Sequence, residues 1–140
     1  MNLMLNNTTT KHMAMRVYNR LNVPMNGKTM QPKIRMSFAN GRFVINPEAC
    51  RIMDLFHGCH INIYYIEHGD MWMIGKADET GFLLKSHGDD YSLVFHSKYL
   101  IGKIFESILY QGNVGNALII GPVAVDNKKL WHINLDSFRN

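Results

Sequence analysis

Residues 34–51 read IRMSFANGRFVINPEACR, and this stretch decides the fold. Ile34, Met36 and Phe38 alternate with Arg35 and Ser37, the period of 2 that gives a strand one core face and one outer face. Ala39-Asn40-Gly41 then supplies a turn, because Asn and Gly tolerate the positive φ that a tight reversal requires. Arg42 to Ile45 alternates again, which makes the unit a hairpin with Lys33, Arg35 and Arg42 on its outer side. Asn46-Pro47-Glu48 marks a helix start: a side-chain acceptor for free amides, a ring suited to the first helical position, and an acid at the positive end of the dipole. Cys50, Met53 and Leu55 carry the apolar side of this short helix, and Gly58 is expected to stop it.

Downstream, a second hairpin is predicted from strands at 60–66 and 71–76 around His68-Gly69-Asp70. Residues 81–136 then run through the same order. Strands at 82–85 and 92–95 flank a turn at His87-Gly88-Asp89-Asp90, and a helix follows from its cap at Ser97. Leu100, Ile101, Ile104, Phe105, Ile108 and Leu109 recur at three- and four-residue steps, a core stripe on that helix. Strands at 117–120 and 131–135 close the set across a Gly/Pro/Asp/Asn-rich connection, with Trp72 and Trp131 at equivalent places. A repeated supersecondary unit implies that neither copy buries its apolar face by itself. The expected fold is α+β, mainly β: a tandem ββαββ pseudo-repeat, 33–78 and 81–136, forming one small barrel domain over 33–140.

Residues 1–32 differ in kind. They contain no acid, several Asn and Thr, and the breakers Pro24, Gly27 and Pro32, so neither period is sustained and an extended, weakly structured arm is expected. Charge follows the same division. Residues 1–51 hold Lys11, Arg16, Arg20, Lys28, Lys33, Arg35, Arg42 and Arg51 against Glu48, a balance of +7, and the rest of the chain balances at −3 to give +4 overall. An electropositive end of this size points to an acidic partner, a nucleic acid or a negative protein surface, and these eight residues are the candidate binding set.

A chain of 140 residues that is 46% hydrophobic can bury roughly two-thirds of its unfolded surface, so no cofactor is needed for stability. Cys50 and Cys59 lack metal-type spacing and are expected to be reduced thiols. The apolar runs fall short of the roughly 18 residues of a membrane span, and Met1-Asn2-Leu3-Met4-Leu5 has no basic start. The expected location is therefore the cytoplasm or an intracellularly assembled particle, reached without a signal peptide. His57-Gly58-Cys59-His60 falls on a turn where the side chains diverge, and His87-Gly88-Asp89-Asp90 has the composition of a hairpin turn. With no nucleophile elbow, metalloprotease helix, phosphate loop or dinucleotide loop, a non-enzymatic protein without catalytic, cofactor or metal residues is expected.

The stretch 34–51, followed by Leu55, the Gly58 turn and the strand His60–Ile66, resembles the AbrB/SpoVT/MazE-type swapped-hairpin domain. Members of that family are usually homodimers of two interlocked chains, so a tandem copy resembles a fused, pseudo-symmetric version of the barrel. Cys59 stands where the family has Asp after the turn Gly, and Ser97-Lys98 where Pro-Glu would begin the second helix. The resemblance implies DNA binding through the first hairpin of each half. Lys33, Arg35, Arg42 and Arg51 match, but their counterparts Leu83, Lys85, Ser92 and Ile101 leave the patch one-sided. Two functions follow. The first is an assembly protein, a rigid barrel held by its basic arm to other subunits of a larger complex such as a bacteriophage virion, with homo-oligomers allowed. The alternative is a DNA-binding regulator or antitoxin of the AbrB type.

Overall fold

A computed structural model describes residues 15–17, 30–88 and 90–138. The chain divides into two compact units, Met1–Met30 and Gln31–Asn140, and the arm expected over 1–32 lies almost wholly outside the described residues. Gln31 and Pro32, expected in the arm, belong to the second unit, where the Gln31 carbonyl accepts from Asn46 Nδ2 at 2.7 Å and the Pro32 carbonyl from Ile119 N at 2.9 Å.

That second unit is mostly β. Its elements are β1 (Lys33–Ser37), β2 (Arg42–Ile45), α1 (Pro47–Met53), β3 (His60–Ile66), β4 (Met71–Ala77), β5 (Phe82–Leu83), β6 (Lys85–His87), β7 (Ser92–His96), α2 (Lys98–Ser107), β8 (Val114–Val125), β9 (Lys128–Asn134) and a 3-10 turn at Asp136–Phe138. No described helix is long and apolar enough to cross a membrane.

The helix starts form as their sequences dictate. Asn46 Oδ1 accepts from Ala49 N at 2.9 Å and from Lys33 N at 3.0 Å, so one side chain caps α1 and fixes the first residue of β1. Ser97 Oγ accepts from Leu100 N at 3.2 Å to cap α2. The helix ends differ from expectation. Asp54, not Gly58, terminates α1 in the left-handed region at φ 56°, and Leu55 N closes the end on Cys50 O at 2.9 Å. Leu109 does the same for α2 at φ 57°, with Tyr110 N on Phe105 O at 2.9 Å. Leu109 is therefore 81% exposed rather than core, and the stripe narrows to Ile101, Ile104 and Phe105, with Leu100 and Ile108 half-buried.

All strand pairs are antiparallel in one nine-stranded sheet of order β5-β3-β4-β9-β8-β1-β2-β7-β6. Its two ends, β5 and β6, are separated only by Leu84, so one bent segment pairs with β3 at its start and with β7 at its finish. Leu84 N donates to Cys59 O at 2.9 Å and Leu84 O accepts from Gly58 N at 2.8 Å, with the side chain fully buried. The sheet thus curls into a nearly closed barrel. Ile34, Met36, Phe43, Ile45, Ile61, Ile74, Phe95, Ile119 and Ile133 fill it, joined by the three buried residues of α2. Phe43 and Phe95, opposite each other in register, stack at 4.3 Å. Phe38 departs from the face of Ile34 and Met36 because the strand ends at Ser37, which leaves its ring 37% exposed in the turn.

The last hairpin also differs from expectation. The Gly/Pro-rich stretch that reads as a connection is strand, with β8 continuing to Val125 across a register shift between Ile120 and Val123. Pro disrupts a ladder, and the irregularity accommodates Pro122. The reversal falls at Asp126-Asn127, both with positive φ, the conformation that a two-residue hairpin turn requires. The strand expected over 82–85 likewise runs on to His87.

Candidate nucleic-acid interface

On β1, Ile34 and Met36 point into the barrel, so Lys33, Arg35 and Ser37 point out. Register extends this alternation across the neighbouring strands. Asn116 of β8, Arg35 of β1, Val44 of β2, Val94 of β7 and Lys85 of β6 form one outer row. Ser37, Arg42 and His96 form the next, and Lys33 stands beside Leu118 on the other side. With strands about 4.8 Å apart, Arg35 and Lys85 lie roughly 14 Å from each other across three strand steps. The outer positions of β1, β2, β7 and β6 thus carry Lys33, Arg35, Arg42, Lys85, His87 and His96, and no Asp or Glu.

Arg35 is exposed, whereas Lys33 and Arg42 are half-buried. Arg42 Nε is shielded from water and finds no partner among the described residues, an unusual state for a guanidinium donor. The nearest acid in sequence to the β7 end is Asp90, in the β6–β7 turn. Its carboxylate accepts Ser92 N at 3.0 Å, and that bond holds it below the usual carboxylate range. Arg51 is engaged differently. It stands on α1 and donates to both carboxylate oxygens of Glu48, which lowers the Glu48 pKa and offsets the Arg51 charge. Arg16 is exposed in the first unit, and Lys11, Arg20 and Lys28 lie outside the described residues.

Lys85 and His96 stand apart from the eight residues that the charge asymmetry of the sequence selects, although their charge belongs to this face. The signal that finds them is the pairing of Phe43 with Phe95, which sets β2 beside β7 and brings the second hairpin's outer residues into line with the first's. The opposite side of the barrel is chemically distinct. Tyr64, Met73, His132 and Ile120 make an outer row over β3, β4, β9 and β8, flanked by Ile66, Met71 and Leu118; Met73 is covered, Ile120 and Met71 are exposed, and none carries a fixed charge.

The histidine–cysteine turn is spent on structure. His57 Nδ1 accepts Ser86 N at 2.9 Å, and Cys59 Sγ accepts Phe56 N at 3.4 Å. Among the described residues no three His, Cys, Asp or Glu side chains converge as metal ligands. Both cysteines are free, and burial pushes the Cys50 thiol from 9.0 to about 11, away from thiolate chemistry. Compared with known proteins, the chain matches no family model, no curated protein and no solved structure.

Proposed function

We propose that this protein is a non-enzymatic nucleic-acid-binding module, a fused swapped-hairpin barrel whose β1–β2–β7–β6 face meets phosphates. The observation that carries the reading is the outer surface itself: Arg35 and Lys85 at the ends of one row, Arg42 and His96 in the next, Lys33 alongside, and no acid among them. Such a face attracts a polyanion through counterion release and needs no pocket. Strand order supports the fused reading. Exchange β1 with the β5–β6 segment, β2 with β7, β3 with β8 and β4 with β9, and the cyclic order is unchanged. The tryptophans obey the same exchange, since Trp72 faces Ile133 and Trp131 faces Ile74 across the β4–β9 ladder. Under it Arg35 and Lys85 are mates, so the basic patch is two-sided where their equivalence across Val44 and Val94 is concerned.

A second reading, assembly with other protein subunits, is favoured by the uncharged outer surface around Tyr64, Met71, His132 and Ile120, which suits a protein neighbour better than a phosphate backbone.

Anisotropy titration with a labelled 20-base-pair duplex tests the main reading. The expected dissociation constant is about 10–100 μM near physiological salt, tightening as salt falls. Replacing Arg35, Arg42 and Lys85 together with Ala should flatten the slope of log K against log salt by about 0.9 for each phosphate no longer neutralised. Failure of the wild-type protein to bind at about 50 mM salt, where phosphate-directed binding is strong, or a slope untouched by the triple variant, would leave assembly as the better reading.

A further inference from the structure

The basic face runs into an aromatic shelf. Arg42 lies opposite His96, and His96 leads directly through Ser97 into Lys98 and α2. The turn Phe38 to Gly41 is clasped to this helix start: Ser97 N donates to Gly41 O at 2.8 Å, and a Cβ on Gly41 would lie 2.9 Å from Lys98 Cβ. Lys98 Nζ sits 5.0 Å from the centre of the Phe38 ring, and one turn on Lys103 Nζ sits 5.5 Å from that of Tyr99. Tyr99 is 75% exposed. An open groove of about 490 Å³ runs between Phe38, Tyr99 and Gly102, with Glu106 its one acid. Gly102 keeps the Phe38 ring seated, since a Cβ there would come within 3.3 Å of Cε1.

Resting on the nucleic-acid reading, we propose that this shelf is a base-stacking platform and that the preferred ligand is single-stranded nucleic acid. Two exposed rings alternate with two lysines beside a phosphate-binding face, the combination by which single strands are held without sequence preference: rings take base faces and cations track the backbone. A duplex keeps its base faces stacked inside and cannot use the rings. An exposed lysine–aromatic pair is weaker than a base on the same ring, so an incoming base displaces the ammonium, which remains placed for the adjoining phosphate.

The test compares labelled dT20, U20 and a 20-base-pair duplex by anisotropy at one salt concentration. Phe38→Ala and Tyr99→Ala should each weaken single-strand binding by about 5- to 150-fold and leave duplex binding within about twofold, and Tyr99→Phe should retain the wild-type value. The ratio of dT20 to U20 affinity separates DNA from RNA as the natural ligand. Because Tyr99 is a surface residue, its variant remains informative if Phe38→Ala loosens the turn. Equal losses for strand and duplex, or no loss in either Ala variant, would overturn the platform while leaving the basic face intact. Absence of binding to all three probes by the wild-type protein would overturn both.

Discussion

Trp72 and Trp131 have related neighbours and unlike hydrogen bonding. Trp72 Nε1 donates to Ser107 Oγ at 2.9 Å, and that hydroxyl donates in turn to Ile104 O at 2.7 Å. Trp131 is the more deeply buried, 4% exposed, yet its Nε1 finds no acceptor among the described residues. A buried donor without a partner costs about 1–3 kcal/mol, and a made bond contributes about 1 kcal/mol. Trp72→Phe breaks the bond, whereas Trp131→Phe removes the unsatisfied donor and offsets part of its lost packing. Urea denaturation should therefore give a smaller stability loss for Trp131→Phe than for Trp72→Phe, the reverse of the order that burial dictates. A larger loss at Trp131 would mean that packing outweighs the orphaned N–H. Nothing in the sequence announces this difference, because both residues read as tryptophans in equivalent strands.

At the scale of elements, the two helices are legible in the sequence at their starts and not at their ends. Asn46-Pro47-Glu48 and Ser97 are local signals, satisfied by amides within three residues, so a linear pattern contains them. The terminal signal is usually a Gly in the left-handed region, and here Asp54 and Leu109 occupy that conformation instead. Leu109 consequently continues the apolar spacing of α2 although the backbone has already turned it to solvent. Asp tolerates this region, but for Leu it costs about 1–2 kcal/mol with no packing to compensate an 81% exposed side chain. Leu109→Gly should raise stability by about 0.5–1 kcal/mol, after allowance for the greater freedom of Gly in the unfolded chain, seen as a higher melting temperature. A lower one would show that the Leu side chain has a role in the native protein. The Gly121-Pro122 stretch misleads for the converse reason: residues that punctuate most chains are carried here inside β8 by a register shift.

For the molecule as a whole, individual hairpins are legible from alternation, but which hairpin meets which is a long-range property. Lys33, Arg35 and Arg42 share a face by local spacing. Lys85 joins them only because β2 pairs with β7. Leu84 is the residue on which the circuit depends, fully buried and with both backbone groups bonded to the Gly58–Cys59 turn. Leu84→Ala should cost about 2–5 kcal/mol by chemical denaturation, and should speed amide exchange at Leu84 and Gly58. Unchanged stability and protection would mean that the two ends hold together without it. Curling the sheet through this single segment has a consequence for misassembly. Most sheets end in a strand whose free amides and carbonyls can recruit a foreign chain, the route to strand addition and fibre growth. This one brings its terminal strands together, and where the β8–β9 hairpin runs beyond the paired part of β4 it carries Pro122, Lys128 and Lys129, residues that resist such recruitment. Around the closed part of the barrel, a neighbour accordingly meets side chains and no free ladder of backbone groups.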